Sequence, residues 1–259
     1  MGAIGTCPRP FRRMRGTGAR PAGASCRAMS RLLTALLDSI IGDGCAACHM
    51  PGPPLCDRCR WAIPLLGRPQ CDRCGFPWPR PVPACPECIP GVVGARQAAS
   101  YAGPVPALVT AFKDHRRRAL ADSLAHVMRT ALEPPPRGAV LVPIPLTRSR
   151  LSDRGFNQAA LLAGYLACSW DLPVHECLAR DDSAPSQRGS GGRARRTQVR
   201  TAFHPCGRPP LHAVLVDDVV TTGATLSAAA RALRGVGCAR VGAVALARVV
   251  PGARRSRVG

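Results

Sequence analysis

The stretch Val214-Leu-Val-Asp217-Asp218-Val-Val-Thr221-Thr222-Gly223-Ala224-Thr225 decides how this chain folds. The apolar run from Ala213 to Val216 reads as a buried strand. It delivers two adjacent carboxylates to the carboxyl edge of a sheet, where open α/β folds bind ligands. Two hydroxyls and a glycine follow, and then a helix from Ala224 to Leu233. The unpaired N–H groups of a helix start form a seat for an anion. Gly223 lets the backbone approach a phosphate, while Thr221, Thr222 and Thr225 add hydroxyl donors. Acids beside such a seat fit a sugar phosphate: the carboxylates take hydroxyls and the loop takes the phosphate. Thr-Thr-Gly alone would be an ordinary helix cap near solvated aspartates; the whole string is more specific. Other phosphate loops do not fit. The chain contains no Gly-Lys pair, and no Gly-x-Gly-x-x-Gly follows a strand.

The surroundings continue the alternation. Ala139–Val142 and Val241–Leu246 read as further buried strands. A helical pattern starts at Val105 and runs through Leu120 and Leu124 to Val127, ended by Pro134-Pro-Pro136. A basic loop follows Pro145, and a helix covers Gln158–Leu166. Gly235 and Gly237 stop the helix that begins at Ala224. Residues 180–200 are polar, rich in Gly and Arg and without periodicity, which predicts a mobile loop. Strand–helix alternation implies a mainly parallel sheet flanked by helices. Composition agrees: 46% of residues are apolar but only 4% aromatic, so the core must be built from Ala, Val and Leu.

The formal charge is +21, and Lys113 is the only lysine among 36 basic residues. Coding bias toward Arg, Pro, Gly and Ala accounts for arginine over lysine. It does not account for the excess of base over acid, which leaves a polyanionic partner open. The first 28 residues carry six arginines, no acid and no apolar stretch, and read as a disordered or untranslated extension. Met29 opens a leucine-rich helix over 29–43. Residues 251–259 read as a basic tail. No apolar run reaches the roughly 18 residues of a membrane helix, so no membrane insertion is expected.

Eight of the fourteen cysteines form four Cys-x-x-Cys pairs: Cys45/Cys48, Cys56/Cys59, Cys71/Cys74 and Cys85/Cys88. Residues 44–94 show little apolar periodicity, so something other than a core must hold them. Two pairs complete a closed tetrahedral zinc site. Sequential pairing of neighbours is the preferred reading, with a cross-braced pairing left open. Metal-bound thiolates without an export signal predict a cytoplasmic location. His49 reads as a surface residue, and Phe156 as a packing residue.

Asp217-Asp-Val-Val-Thr-Thr-Gly-Ala-Thr225 resembles the signature of type I phosphoribosyltransferases that binds phosphoribosyl diphosphate (PRPP). Val142-Pro-Ile-Pro145 followed by Arg154-Gly-Phe-Asn-Gln158, with the cysteine pairs upstream, resembles the ComF family, named for DNA uptake by competent bacteria. The resemblance covers about residues 30–250. It implies a double zinc ribbon over 44–94 and a type I phosphoribosyltransferase fold over 95–250. Asp217 and Asp218 would hold ribose hydroxyls, and Thr221, Thr222, Gly223, Ala224 and Thr225 the 5′-phosphate. Arg148, Arg150 and Arg154 would meet the pyrophosphate, Mg²⁺ would accompany it, and Arg180–Arg200 would form a hood. Lys113 matches a lysine common in ComF-like sequences and would contact a phosphate. Arg195-Arg-Thr-Gln198 departs from the family's Arg-x-x-Asn. The implied function is PRPP binding or phosphoribosyl transfer to an unknown acceptor, linked to DNA uptake or nucleotide salvage. The other reading is a non-catalytic factor that handles single-stranded DNA through Arg58, Arg60, Arg68, Arg73 and Arg80 of the zinc module. Its partners would be single-stranded DNA or DNA-uptake proteins.

Overall fold

The computed structural model describes residues 44–78, 85–181 and 203–250. The expected extension over 1–28, the helix over 29–43, the basic tail and all of the hood but Arg180 and Asp181 lie outside these residues.

The elements run α1 (Asp57–Trp61), β1 (Ala95–Ser100), α2 (Val105–Lys113), α3 (Leu120–Ala131), β2 (Val140–Pro143), α4 (Arg148–Arg154) and α5 (Gln158–Trp170). After them come β3 (Leu178–Arg180), β4 (Phe203–Pro205), β5 (His212–Val220), α6 (Ala224–Arg234) and β6 (Arg240–Arg248). Four strands form a parallel sheet in the order β1-β6-β5-β2. β3 and β4 make a separate antiparallel pair.

Two faces of the sheet carry two cores. Side chains alternate along a strand, so Val214 and Val216 point one way, and Ala213 and Leu215 the other. The first set packs with Leu108, Phe112, Leu124 and Leu162 from α2, α3 and α5. The second packs with Leu226, Ala229 and Leu233 of α6. Few aromatics are needed because the strands are Val- and Ala-rich and lie close to Ala-lined helices.

The segment expected to lack a core in fact contributes to both of these. Cys45, Leu55, Cys59 and Ile63 join the first core, and Cys74, Phe76, Ile89 and Val92 the second. The stretch between the two cysteine clusters also covers the outer edge of β1. Leu66 N–H donates to Ala98 O at 2.9 Å, Ser100 N–H to Pro64 O at 2.8 Å, and Leu65 bridges Ala99.

Two expectations are corrected. The long helix from Val105 to Val127 is two helices, broken over 114–119, where Arg116 takes a positive φ of 54°. The break lets three arginines bind carbonyls elsewhere: Arg116 to Asp153, Arg117 to Gly44 and Arg118 to Gly155. The basic loop after Pro145 is the short helix α4, because Thr147 caps it by accepting the Arg150 N–H.

Candidate functional site

β5 runs past Val216 to Val220, so the acid pair lies within the strand rather than after it. Each carboxylate accepts the next residue's amide, Asp217 from Asp218 and Asp218 from Val219, both at 2.9 Å. Regular alternation does not continue past Val216, since Val219 packs with the first core and Val220 with the second, and the two carboxyls stand close enough to repel each other. Asp218 reaches the α2 side. There Lys113, the last residue of α2, places Nζ 2.6 Å from Asp218 Oδ2. Asp218 is only 6% exposed. Beyond that ion pair Oδ2 has no hydrogen-bond partner among the described residues.

Asp217 is half-buried, and its charge reaches the end of β3. Burial pushes its carboxyl well above the ordinary range, and repulsion from Asp218 adds to the rise. Lys113 opposes it. Arg180, at the end of β3, feels the charge of Asp217. Burial and the nearby Arg150 both pull the Arg180 guanidinium down. Its Nε is buried with no hydrogen-bond partner among the described residues, and its Cζ lies 5.2 Å from the centroid of the Phe203 ring. Sequence reading placed Arg180 only at the start of a hood. The structure places it within reach of the Asp217 charge.

The loop after β5 is built to expose amides. Thr221 and Thr222 are exposed, and Thr225 is half-buried. Gly223 is the N-cap of α6 at φ 73°, in the left-handed region that favours glycine. Thr222 Oγ1 accepts the Ala224 N–H at 3.4 Å. The eleven-residue helix that follows points its positive end at the loop.

α4 stands on the same carboxyl edge, because Ile144 N–H donates to Val216 O at 3.0 Å and β2 ends beside β5. Arg148 and Arg150 are exposed. Arg154 is engaged elsewhere, at 3.4 Å from Asp114 Oδ1. The segment Arg154-Gly-Phe-Asn-Gln158 joins α4 to α5. Gly155 ends one helix at φ 74°, and Asn157 caps the next while donating to Ile144 O at 3.0 Å. Phe156 is buried against Phe112, with centroids 5.6 Å apart. A separate cleft of about 500 Å³ opens at the opposite, amino edge beside His212 and Arg240. It shares no residue with the acid pair or the loop.

Lys113 offers a direct test of this geometry. Lys113→Met leaves a buried carboxylate without its cation, which costs about 3–5 kcal/mol when both partners are buried. The Lys113 side chain is 25% exposed, so a loss of about 3 kcal/mol is expected by chemical denaturation. An unchanged midpoint would mean that the pair contributes nothing.

The cysteines gather as two sequential sets, Cys45, Cys48, Cys56, Cys59 and Cys71, Cys74, Cys85, Cys88, with all sulfurs of a set within 4.8 Å. Cys48 and Cys56 sulfurs are 3.7 Å apart, Cys71 and Cys88 3.8 Å, and Cys74 and Cys85 3.6 Å. Tetrahedral zinc with Zn–S bonds of about 2.3 Å holds its sulfurs roughly 3.8 Å apart. Both clusters could hold zinc. Burial opposes ionisation, yet amide hydrogen bonds pull Cys45 down to about 6 and Cys71 to about 7. Cys59 and Cys74 are pushed up, by burial first and then by neighbouring thiols. Four crowded sulfurs cannot all ionise without a cation between them. His49 is exposed and stands outside both sets.

Residues 210–258 match the family described as phosphoribosyl transferase domain. A DNA utilization protein of Salmonella typhimurium is 32% identical over 184 residues, which span 64% of this chain and 78% of that protein. Its Escherichia coli counterpart is 34% identical over 160 residues, 55% of this chain and 66% of that protein. Competence protein F of Haemophilus influenzae is 30% identical over 159 residues, 57% of this chain and 69% of the other. With its parallel sheet, its acid-and-threonine loop and its two four-cysteine clusters, the chain belongs to the ComF family.

Proposed function

We propose that the chain binds PRPP and transfers its phosphoribosyl group to an acceptor. One observation carries this reading: two acids on β5 lead straight into a glycine-opened helix start, with Lys113 paired to Asp218 and Arg180 within reach of the Asp217 charge. The loop from Thr221 to Thr225 would seat the 5′-phosphate, and the acids would accept from ribose hydroxyls. Arg148 and Arg150 would face the pyrophosphate, because guanidinium groups pair with phosphate oxygens in bidentate fashion. Lys113, held at Asp218, is near enough to the acids to swing toward a phosphate once ligand arrives. Mg²⁺, travelling with the pyrophosphate, would neutralise its charge. In transfer, a nucleophile bonds to ribose C1 as the C1–O bond to pyrophosphate breaks. The protein's part is positioning and stabilising the leaving group.

Zinc in the two cysteine clusters and a cytoplasmic location belong to the same proposal. Among the described residues no helix is long and apolar enough to cross a membrane. Calorimetry with PRPP and Mg²⁺ is expected to show binding at one site per chain. A screen of candidate acceptors for pyrophosphate release would then find the nucleophile. Absence of heat with PRPP and also with ribose 5-phosphate would refute the reading.

A second reading has its own observation. Trp61 of α1 is 81% exposed, with the Arg60 guanidinium 5.8 Å from its ring centroid and Arg58 exposed beside it. An aromatic face among arginines is a platform on which single-stranded bases stack. The names of the relatives, DNA utilization and competence, point the same way.

A further inference from the structure

Beneath the phosphate loop lies the second cysteine cluster. Ile89 follows Cys88 directly and is 2% exposed. It fills the space against Gly223: a Cβ there would stand 2.6 Å from Ile89 Cγ1 and 3.0 Å from Cδ1. The left-handed turn that opens α6 therefore rests on the residue next to a metal ligand. Gly91 continues this contact, with the methyl of Ala230 in α6 3.5 Å from where its Cβ would be.

A second link runs through Arg248. Its backbone stands in register with Val220, and Val249 N–H donates to Val220 O at 2.9 Å. This fixes the strand end one residue before Thr221. The Arg248 side chain is wholly buried and reaches the other way, into the cluster. Nη2 donates to Glu87 O at 3.2 Å and lies 3.4 Å from Glu87 Oε2. Cζ is 5.0 Å from the centroid of the Phe76 ring. Glu87 sits between Cys85 and Cys88, and Phe76 two residues after Cys74.

Arg248 is short of negative charge. Among the described residues Nε and Nη1 have no hydrogen-bond partner, and Glu87 is 38% exposed. A buried guanidinium is costly unless it is paired. Four thiolates around one zinc carry a net charge of about −2, on the cluster whose chain Arg248 touches. A zinc-loaded cluster would add counter-charge to the single half-exposed carboxylate of Glu87.

The geometry points to the second cluster as a positioning element for the phosphate loop, with Ile89 and Arg248 as the residues through which its zinc sets the loop's shape. The first cluster packs on the opposite face of the sheet and has no such contact among the described residues. What the loop binds rests on the PRPP reading; the mechanical link does not.

Two measurements on the full chain test the link. The first uses no ligand. Hydrogen exchange over residues 217–225 is expected to quicken about fivefold or more in Ile89→Ala and Arg248→Met. It should return to the parental rate in Ile89→Val. Should Arg248→Met lose zinc, the milder Ile89→Ala decides. In the second, unmodified protein is slowly stripped by a chelator while freed thiols are alkylated and mapped by mass spectrometry. Coupling between sites is reciprocal, so ribose 5-phosphate is expected to slow alkylation of Cys85 and Cys88 about fivefold or more. Cys45 and Cys48 should be unaffected. Parental exchange in Ile89→Ala, or equal protection of both clusters, overturns the link. If Ile89→Ala loosens the loop while ribose 5-phosphate neither binds nor protects, the link stands and the ligand reading falls.

Discussion

Cys85→Ser is expected to cut bound zinc by half and to lower the melting temperature by about ten degrees or more. Structural zinc contributes about 10–16 kcal/mol of apparent binding free energy to folding. Each kcal/mol lost shifts the midpoint of a domain this size by about 2–4 °C. The loss cannot stay local. Cys74 is 1% exposed, and with Phe76, Ile89 and Val92 it belongs to the core that also holds Leu215, Ala243 and Ala245 of the sheet. Trp78 Nε1 also donates to Cys85 Sγ at 3.3 Å. Metal analysis and a thermal melt on the same sample check both halves. Parental zinc content together with a parental melt would sink the idea.

The second large effect is a trade. Asp217→Asn is expected to weaken ribose 5-phosphate binding about ten- to hundredfold, yet to stabilise the free protein at alkaline pH. A hydrogen bond to the ionised carboxyl, the form that gains ground near pH 8 and above, is worth about 1.5–3 kcal/mol, and asparagine keeps only one acceptor oxygen. The stability half follows from linkage. The native carboxyl is raised by burial and by Asp218, so the folded state holds a proton that the unfolded chain has released. Stability therefore falls as pH climbs from the ordinary carboxylate range through the raised native value. The substituted amide has no such proton to lose, so the variant should gain at least about 1 kcal/mol over the parent near pH 8 and little at pH 4. Denaturant melts at the two pH values, with calorimetry alongside, measure it. Equal affinity in the variant, or lower stability at pH 8, would show that Asp217 is neither strained nor used.

The strand–loop–helix around Asp217 is legible in the sequence. An apolar run, two acids and a glycine before an Ala-rich helix agree at every level, from local preference to the edge of the sheet. The four Cys-x-x-Cys pairs were legible for a similar reason: metal spacing is a local property. β1 was not. Ala95-Arg-Gln-Ala-Ala-Ser100 has poor strand propensity, and it is extended because β6 pairs with it. The break after Lys113 was hidden as well. Phe112 and Leu120 face the same core, so apolar spacing continues across a turn set by arginines bonded to distant carbonyls. The capping threonine of α4 did carry a signal, masked by the arginines after it. Nothing local marks Arg248 as buried or ties Ile89 to Gly223. Those contacts join residues far apart in the chain, and only the packed sheet brings them together.

The cover over β1 has a consequence for handling the protein. An open strand edge presents unpaired N–H and C=O groups that recruit other chains. Here Pro64, Leu65 and Leu66 occupy that edge, and they are held there by a cysteine cluster on either side. A chelating buffer that loosens either cluster frees a parallel sheet to grow outward. With zinc in the clusters as proposed, the visible result would be precipitate rather than a soluble unfolded chain.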